Sequence, residues 1–243
     1  MKPSFLLRSL CTAAALASVA ALGAADDLGQ LIFSDDFART ASQEKTDEPG
    51  NGWATNSKAR AKGNKQVDLR DGAMYIFLSA EADHAVSVQH AAEFTDGAVA
   101  LRFKLEDARD SLGLDFADLS RKDVHAGHLF AARVAPKQVL LQDLATGGMR
   151  LDIQTARTAK QKLTADQQQA LVGKDKKIPA ALALNVWHDL LVKITGDELA
   201  VTVDGKLLGT LKSPGIAHPT KRLLRLAVPR NAVVDDVKIW RKK

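Results

Sequence analysis

The sequence predicts an all-β protein, an antiparallel β-sandwich of jelly-roll type with one short helical insertion. Three observations carry that expectation. Apolar and polar residues alternate in short runs along most of the chain, as strands with one buried face require. Asp-Gly pairs punctuate those runs where two-residue hairpins demand positive φ. One segment, LTADQQQALVGKDKK, turns to a helical pattern.

Taken in order, residues 1–25 of the 243 read as a cleavable secretory signal. Lys2 and Arg8 precede an uncharged apolar run from Leu10 to Leu22, then come Gly23, Ala24 and Ala25 before Asp26-Asp27. The run is short for a membrane span, so a secreted or periplasmic protein without a span is expected. Cys11 follows Leu10 near the start of the run, the wrong place for lipid attachment. It is the sole cysteine, so the mature chain lacks a disulfide, a thiolate nucleophile and a cysteine metal site. Removing Lys2 and Arg8 takes the formal charge from +5 to +3, spread along the chain, which gives no basis for nucleic-acid binding. Residues 26–243 are long enough to bury a substantial core and are expected to form a single domain.

The strands follow. Val99, Leu101, Phe103 and Leu105 share a face opposite Arg102 and Lys104, and Leu112, Leu114 and Phe116 oppose Ser111, Gly113 and Asp115. Met149, Leu151 and Ile153 alternate with Arg150 and Asp152, predicting another strand. Leu190, Val192 and Ile194, then Leu199, Val201 and Val203, continue the pattern. Val233, Val237 and Ile239 close it on one face, which Asp235 interrupts. Asp71-Gly72, Asp204-Gly205 and Gly196-Asp197 mark three hairpins. In the helical segment Thr164 caps, Gln167 completes a capping box and Gly173 terminates; the helical and basic insertion is placed near residues 157–182.

Four landmarks, in this order, resemble a known family. They are Ile32-Phe33-Ser34-Asp35-Asp36-Phe37 with Gly52-Trp53; Asp68-Leu69-Arg70-Asp71-Gly72-Ala73-Met74; Trp187-His188-Asp189-Leu190 through Val203-Asp204-Gly205-Lys206; and Val234-Asp235-Asp236-Val237-Lys238-Ile239-Trp240. The chain is similar to concanavalin-A-like jelly rolls known as 3-keto-disaccharide hydrolase domains. The resemblance implies a secreted bacterial carbohydrate-processing protein acting at a glycosidic bond. The Glu-x-Asp-x-x-Glu strand of laminarinase-type relatives does not occur here. The keto-sugar family's Asn-Ser-Gly and Glu-x-Gln-x-x-Asp strands have only approximate counterparts, Asp110–Asp115 and Gln138–Asp143.

Candidate chemistry falls in four places. In EADHAVSVQH, Val86 and Val88 mark a core face, placing Asp83 and His84 at a loop mouth, where an Asp beside a His suits acid/base work. His90 then lies at the strand's far end as a structural residue. In Asp123-Val124-His125-Ala126-Gly127-His128, His125 and His128 are candidate ligands or polarisers for a divalent metal, if a third ligand converges. Arg102, Asp115, Arg133 and Gln142 form a polar set suited to sugar hydroxyls, although aromatic residues are 5% of the chain. Asp36 and Asp235 sit near opposite termini, which jelly rolls commonly place side by side, and the resemblance implies a structural Ca²⁺ between them. Two functions are expected of this constellation: an enzyme of keto-glycosides, or a non-catalytic glycan-binding or cell-surface scaffold module. In either case the partner is a carbohydrate or glycoside.

Overall fold

The computed structural model describes residues 28–242; the expected signal segment, with Cys11, lies outside the described residues. In chain order the first elements are β1 (Gln30–Asp35), β2 (Ala54–Thr55), α1 (Ser57–Arg60), β3 (Val67–Arg70), β4 (Ala73–Phe77), β5 (Val86–Phe94), β6 (Gly97–Lys104) and β7 (Leu112–Ala117). A 3-10 turn (His125–Gly127) leads to β8 (His128–Ala135) and β9 (Gln138–Asp143), then a π turn (Leu144–Gly148), α2 (Leu151–Thr158) and α3 (Ala165–Ala170). The chain continues with β10 (Asp175–Pro179), β11 (His188–Thr195), β12 (Glu198–Val203), β13 (Lys206–Lys212), β14 (Lys221–Val228) and β15 (Asn231–Arg241).

These strands make two antiparallel sheets. One has eight strands, ordered β13-β12-β11-β6-β15-β4-β3, with β1 also paired to β15; the other has seven, ordered β10-β9-β8-β7-β14-β5-β2. The alternating apolar residues of both sheets meet between them: Val99, Leu101 and Phe103 from one, and Leu112, Leu114 and Phe116 from the other, are essentially inaccessible. The termini meet as expected. Over its first half β15 pairs with β4, and over its second half with β1, while β6 runs along its other edge.

The turn chemistry holds. Asp71 (φ 54°) and Gly72 (φ 68°) close β3–β4, and Asp204 (φ 50°) and Gly205 (φ 74°) close β12–β13, both in the left-handed region that two-residue primed turns need. Thr164 and Gln167 form a reciprocal capping box on α3.

Three expectations are corrected. Met149, Leu151 and Ile153 do not form a strand: Leu151–Thr158 is helical, and Ile153 and Ala156 are buried while Leu151 faces solvent. Within α2 the buried Ile153 and Ala156 stand at i and i+3 on one stripe, and the alternation through Met149 and Leu151 was a coincidence of three residues. The helical excursion is larger than one short insertion. It begins at Leu144 rather than Arg157, and its expected C-terminal part includes the edge strand β10. In β15 the core-facing set is Ala232 and Val234, then Val237 and Ile239, while Val233 is buried on the other face. A bulge between Asp235 and Lys238, with Asp236 at φ 54°, inserts one residue and reverses the phase, which is why Asp235 interrupts the pattern.

Candidate functional site

The seven-stranded sheet has a recessed outer face. All six residues of β7 are buried, although only Leu112, Leu114 and Phe116 belong to the core between the sheets. Successive residues of a strand point to opposite faces, so Gly113, Asp115 and Ala117 are covered by side chains and loops that rise around them. They underlie the polar outer surface of the sheet as its floor, with Ala131 of β8 beside them, and this surface from β5 across to β10 is the candidate groove.

Register places the polar residues on this floor in rows. One row runs Gln89 (β5), Arg225 (β14), Asp115 (β7), Ala131 (β8), Gln142 (β9) and Asp175 (β10). The next runs Ser87, Ala227, Gly113, Arg133, Leu140 and Lys177. Asp115 is the hub: His128 Nδ1 lies 2.6 Å from its Oδ2 and Arg225 Nη1 lies 3.3 Å from its Oδ1. Arg225 also donates to the Ala126 carbonyl at 2.9 Å. At the floor's edge Gln142 Nε2 donates to Asp175 at 3.2 Å.

The backbone before β8 aims His128. Ala126 (φ 47°) and Gly127 (φ 69°) are both left-handed, and a Cβ on Gly127 would stand 2.4 Å from the Asp118 carbonyl. The same loop is hydrogen-bonded to the helical excursion, through His125 N to Met149 O and Leu151 N to Asp123 O. That excursion therefore abuts the end of the groove. His128 Nδ1 faces Asp115 Oδ2 at 2.6 Å and Arg225 Nη1 at 3.3 Å; the tautomer with the hydrogen on Nδ1, which the carboxylate favours, makes Nε2 an acceptor. An imidazole held this way can accept or return a proton.

Of the residues expected to act together, the structure unites Asp115, Arg133, Gln142 and His128 on one face. It separates the others. Arg102 lies on the outer face of the eight-stranded sheet, 3.2 Å from Asp235 and stacked over Trp187 at 4.9 Å. Asp83 faces Arg60 at 3.6 Å rather than His84, and exposed His84 has its Nδ1 against the Ala85 carbonyl. Register aligns His128 with Ala117, Leu223 and Ala91, so His84 lies at the opposite end of the sheet, roughly 20 Å away along the strands. His84 therefore shares no cleft with His125 and His128. His90 is structural, its ring stacked 3.7 Å from that of Phe33.

Among the described residues no three His, Asp or Glu side chains are grouped to hold a metal ion. His125 and His128 lie with nearly parallel rings 6.3 Å apart, while Arg121 clamps Asp123. Burial and the nearby charges of Asp236 and Asp36 push the Asp235 carboxyl up, so these terminal acids are neighbours. Asp36 accepts the Ala38 amide, and Asp235 accepts Arg102 and the Asp236 amide.

Arg225 went unnoticed in the sequence, although Leu224-Arg225-Leu226 carries the alternation that turns it outward. Asp143, the acid nearest in place to the keto-sugar strand's Asp, points inward and is fully buried. It accepts hydrogen bonds from Thr146, Ser213 and Gly215.

Among the described residues no helix is long and apolar enough to cross a membrane. No protein-family model and no curated protein matches the sequence. Solved structures do match. The laminarinase from Rhodothermus marinus aligns with a TM-score of 0.56 at 12% identity, covering 87% of this chain and 97% of that one. Porphyranase B from Zobellia galactanivorans aligns at 0.54 and 13%, covering 87% and 92%. The carbohydrate-binding module CBM66 from Bacillus subtilis aligns at 0.50 and 14%, covering 80% and 95%. The chain therefore has the jelly-roll sandwich fold of these proteins.

Proposed function

We propose that the protein processes a carbohydrate in the groove of the seven-stranded sheet, with Asp115 and His128 carrying the proton transfer. The observation behind this reading is the Asp115–His128–Arg225 network on a recessed floor lined by Gly113, Ala117 and Ala131. The fold shared with polysaccharide-named enzymes and a carbohydrate-binding module supports a sugar as ligand. Arg133 and Gln142, on the same face, supply donors and acceptors for hydroxyl groups.

The carboxylates argue for a particular reaction class. A two-carboxylate glycosidase sets its acids about 5–10 Å apart across the bond. Among the described residues of the floor's central strands, Asp115 is the one carboxylate, and His128 and Arg225 already engage it. A single imidazole base suits a sugar with an acidic C–H bond, and in a 3-keto-glycoside the ketone acidifies C2–H. His128 Nε2 takes that proton. The C–H electron pair becomes the C1–C2 double bond as the C1–O bond breaks, and the imidazolium returns a proton to the departing oxygen, releasing an alcohol. Water adding across the double bond completes a net hydrolysis. A non-catalytic glycan-binding module is the second reading, in which His128 and Arg225 hold Asp115 as a fixed acceptor for sugar hydroxyls.

Turnover of an aryl 3-keto-glucoside decides between them. The enzyme reading expects His128→Ala to lower kcat/KM by about 100-fold or more, as for loss of a positioned acid/base. If the intact protein binds the glycoside without turning it over, the binding module is correct. If His84→Ala abolishes turnover and His128→Ala does not, the assignment of the dyad fails.

A further inference from the structure

The second row of the groove carries two cations without counterions. Arg133 on β8 and Lys177 on β10 flank Leu140 on the same outer face, two strand spacings apart, roughly 10 Å. Both are exposed, and among the described residues neither has a hydrogen-bond or ion-pair partner. The rest of that row, Ser87, Ala227, Gly113 and Leu140, is uncharged. In the first row the acids are engaged, Asp115 by His128 and Arg225, Asp175 by Gln142. Counting Asp115 and Asp175 against Arg225, Arg133 and Lys177, the two rows carry a net +1.

Position matters as much as charge. The Arg133 side chain lies across Gly113, with its Nε 3.7 Å from where a Cβ at that position would stand. The guanidinium thus lies over the floor at Gly113, one row from Asp115. A forked, weakly hydrated guanidinium matches a planar carboxylate or a sulfate ester bidentately, and an ammonium on the next strand but one adds a point charge. A neutral saccharide leaves both cations uncompensated.

We propose that the saccharide taken by this groove is anionic, its carboxylate or sulfate docking on Arg133 with Lys177. The proposal rests on the groove being the carbohydrate site. The test is titration calorimetry of the intact protein, Arg133→Gln and Lys177→Gln against matched pairs of oligosaccharides. The pairs are oligogalacturonate and oligoalginate with their methyl esters, and sulfated galactan oligosaccharides with their desulfated forms. The expected result is that at least one acidic member binds the intact protein about tenfold or more tightly than its neutral partner. That preference should weaken with salt, vanish in Arg133→Gln and fall several-fold in Lys177→Gln. The chemistry of the preferred pair identifies carboxylate or sulfate. Equal binding of acidic and neutral partners overturns the charge inference and leaves the groove reading intact. A preference that survives Arg133→Gln also overturns it, and failure of every saccharide to bind sinks both.

Discussion

Asp35 shows how much one buried carboxylate organises here. Its Oδ1 accepts the Phe37 amide and Arg39 Nη1, and its Oδ2 accepts Arg39 Nη2 and the indole N–H of Trp53. Burial alone would push this carboxyl up, but Arg39, the Phe37 amide and Trp53 hold it below the usual range. The same arithmetic runs differently at two basic groups. His188 is buried against Phe103, with Nδ1 2.7 Å from Asp204 and Nε2 3.0 Å from the Ala183 carbonyl. Burial opposes its charge, yet these two acceptors outweigh it and raise its pKa. A folded pKa above the unfolded value of about 6.5 gives stability that is fully present below that value and lost as pH rises through the folded pKa. Asp204→Asn should therefore cost about 1 kcal/mol at pH 5.5, the pair being discounted because Asp204 is half exposed. Melting curves of both proteins between pH 5.5 and 9 check this. The gap should close toward the alkaline end, and a gap independent of pH would contradict the imidazolium. Lys221 has the opposite sign. Fully buried with carbonyl acceptors from Thr95 and His218, its amine is pushed down to about 8 by burial, so its cost is relieved as pH rises from about 8 toward its unfolded value.

At the scale of elements, the helical excursion is pinned by Asp143 rather than by its own helices. That carboxylate caps the π turn through Thr146 and reaches across to Ser213 and Gly215 before β14. A Cβ at Gly215 would lie 1.9 Å from Asp143 Oδ1, closer than any contact allows. Gly215→Ala should thus destabilise the fold by about 2–3 kcal/mol, as overpacking a closed site does. Chemical denaturation measures it, and an unchanged midpoint would contradict the described junction. Hairpins and the α3 cap were readable in the sequence because local chemistry sets them: positive φ at Asp-Gly, a reciprocal pair at Thr164 and Gln167. Met149–Ile153 was misread because three apolar residues fit a period of two by chance, while the helix turns Leu151 to solvent and buries Ile153 with Ala156. The β15 bulge was visible only as an interruption at Asp235, since a one-residue insertion leaves no composition signal of its own.

For the whole molecule, alternation tells which side of a strand faces the core but not which sheet holds the strand. Arg102 and Asp115 both read as outward polar residues, and the topology then puts them on opposite outer faces of the sandwich. The same topology brings Asp115 and His128, thirteen residues apart, to neighbouring strands and sends His84 to the far end. Half of the site was thus legible as residue types, and its assembly was decided by strand order. The two outer faces differ in kind. The seven-stranded sheet presents the recessed Asp115–His128–Arg225 floor, whereas the eight-stranded sheet presents Trp187 under Arg102 beside Asp235. An aromatic ring is a natural sugar platform, which makes that second face the strongest rival. Backbone amide chemical shifts recorded by NMR during titration with the best-binding oligosaccharide distinguish the two faces most directly. The predicted shifts cluster at Gly113, Asp115, His128, Arg133, Gln142 and Arg225; shifts confined to Arg102, Trp187 and Asp235 would contradict the groove.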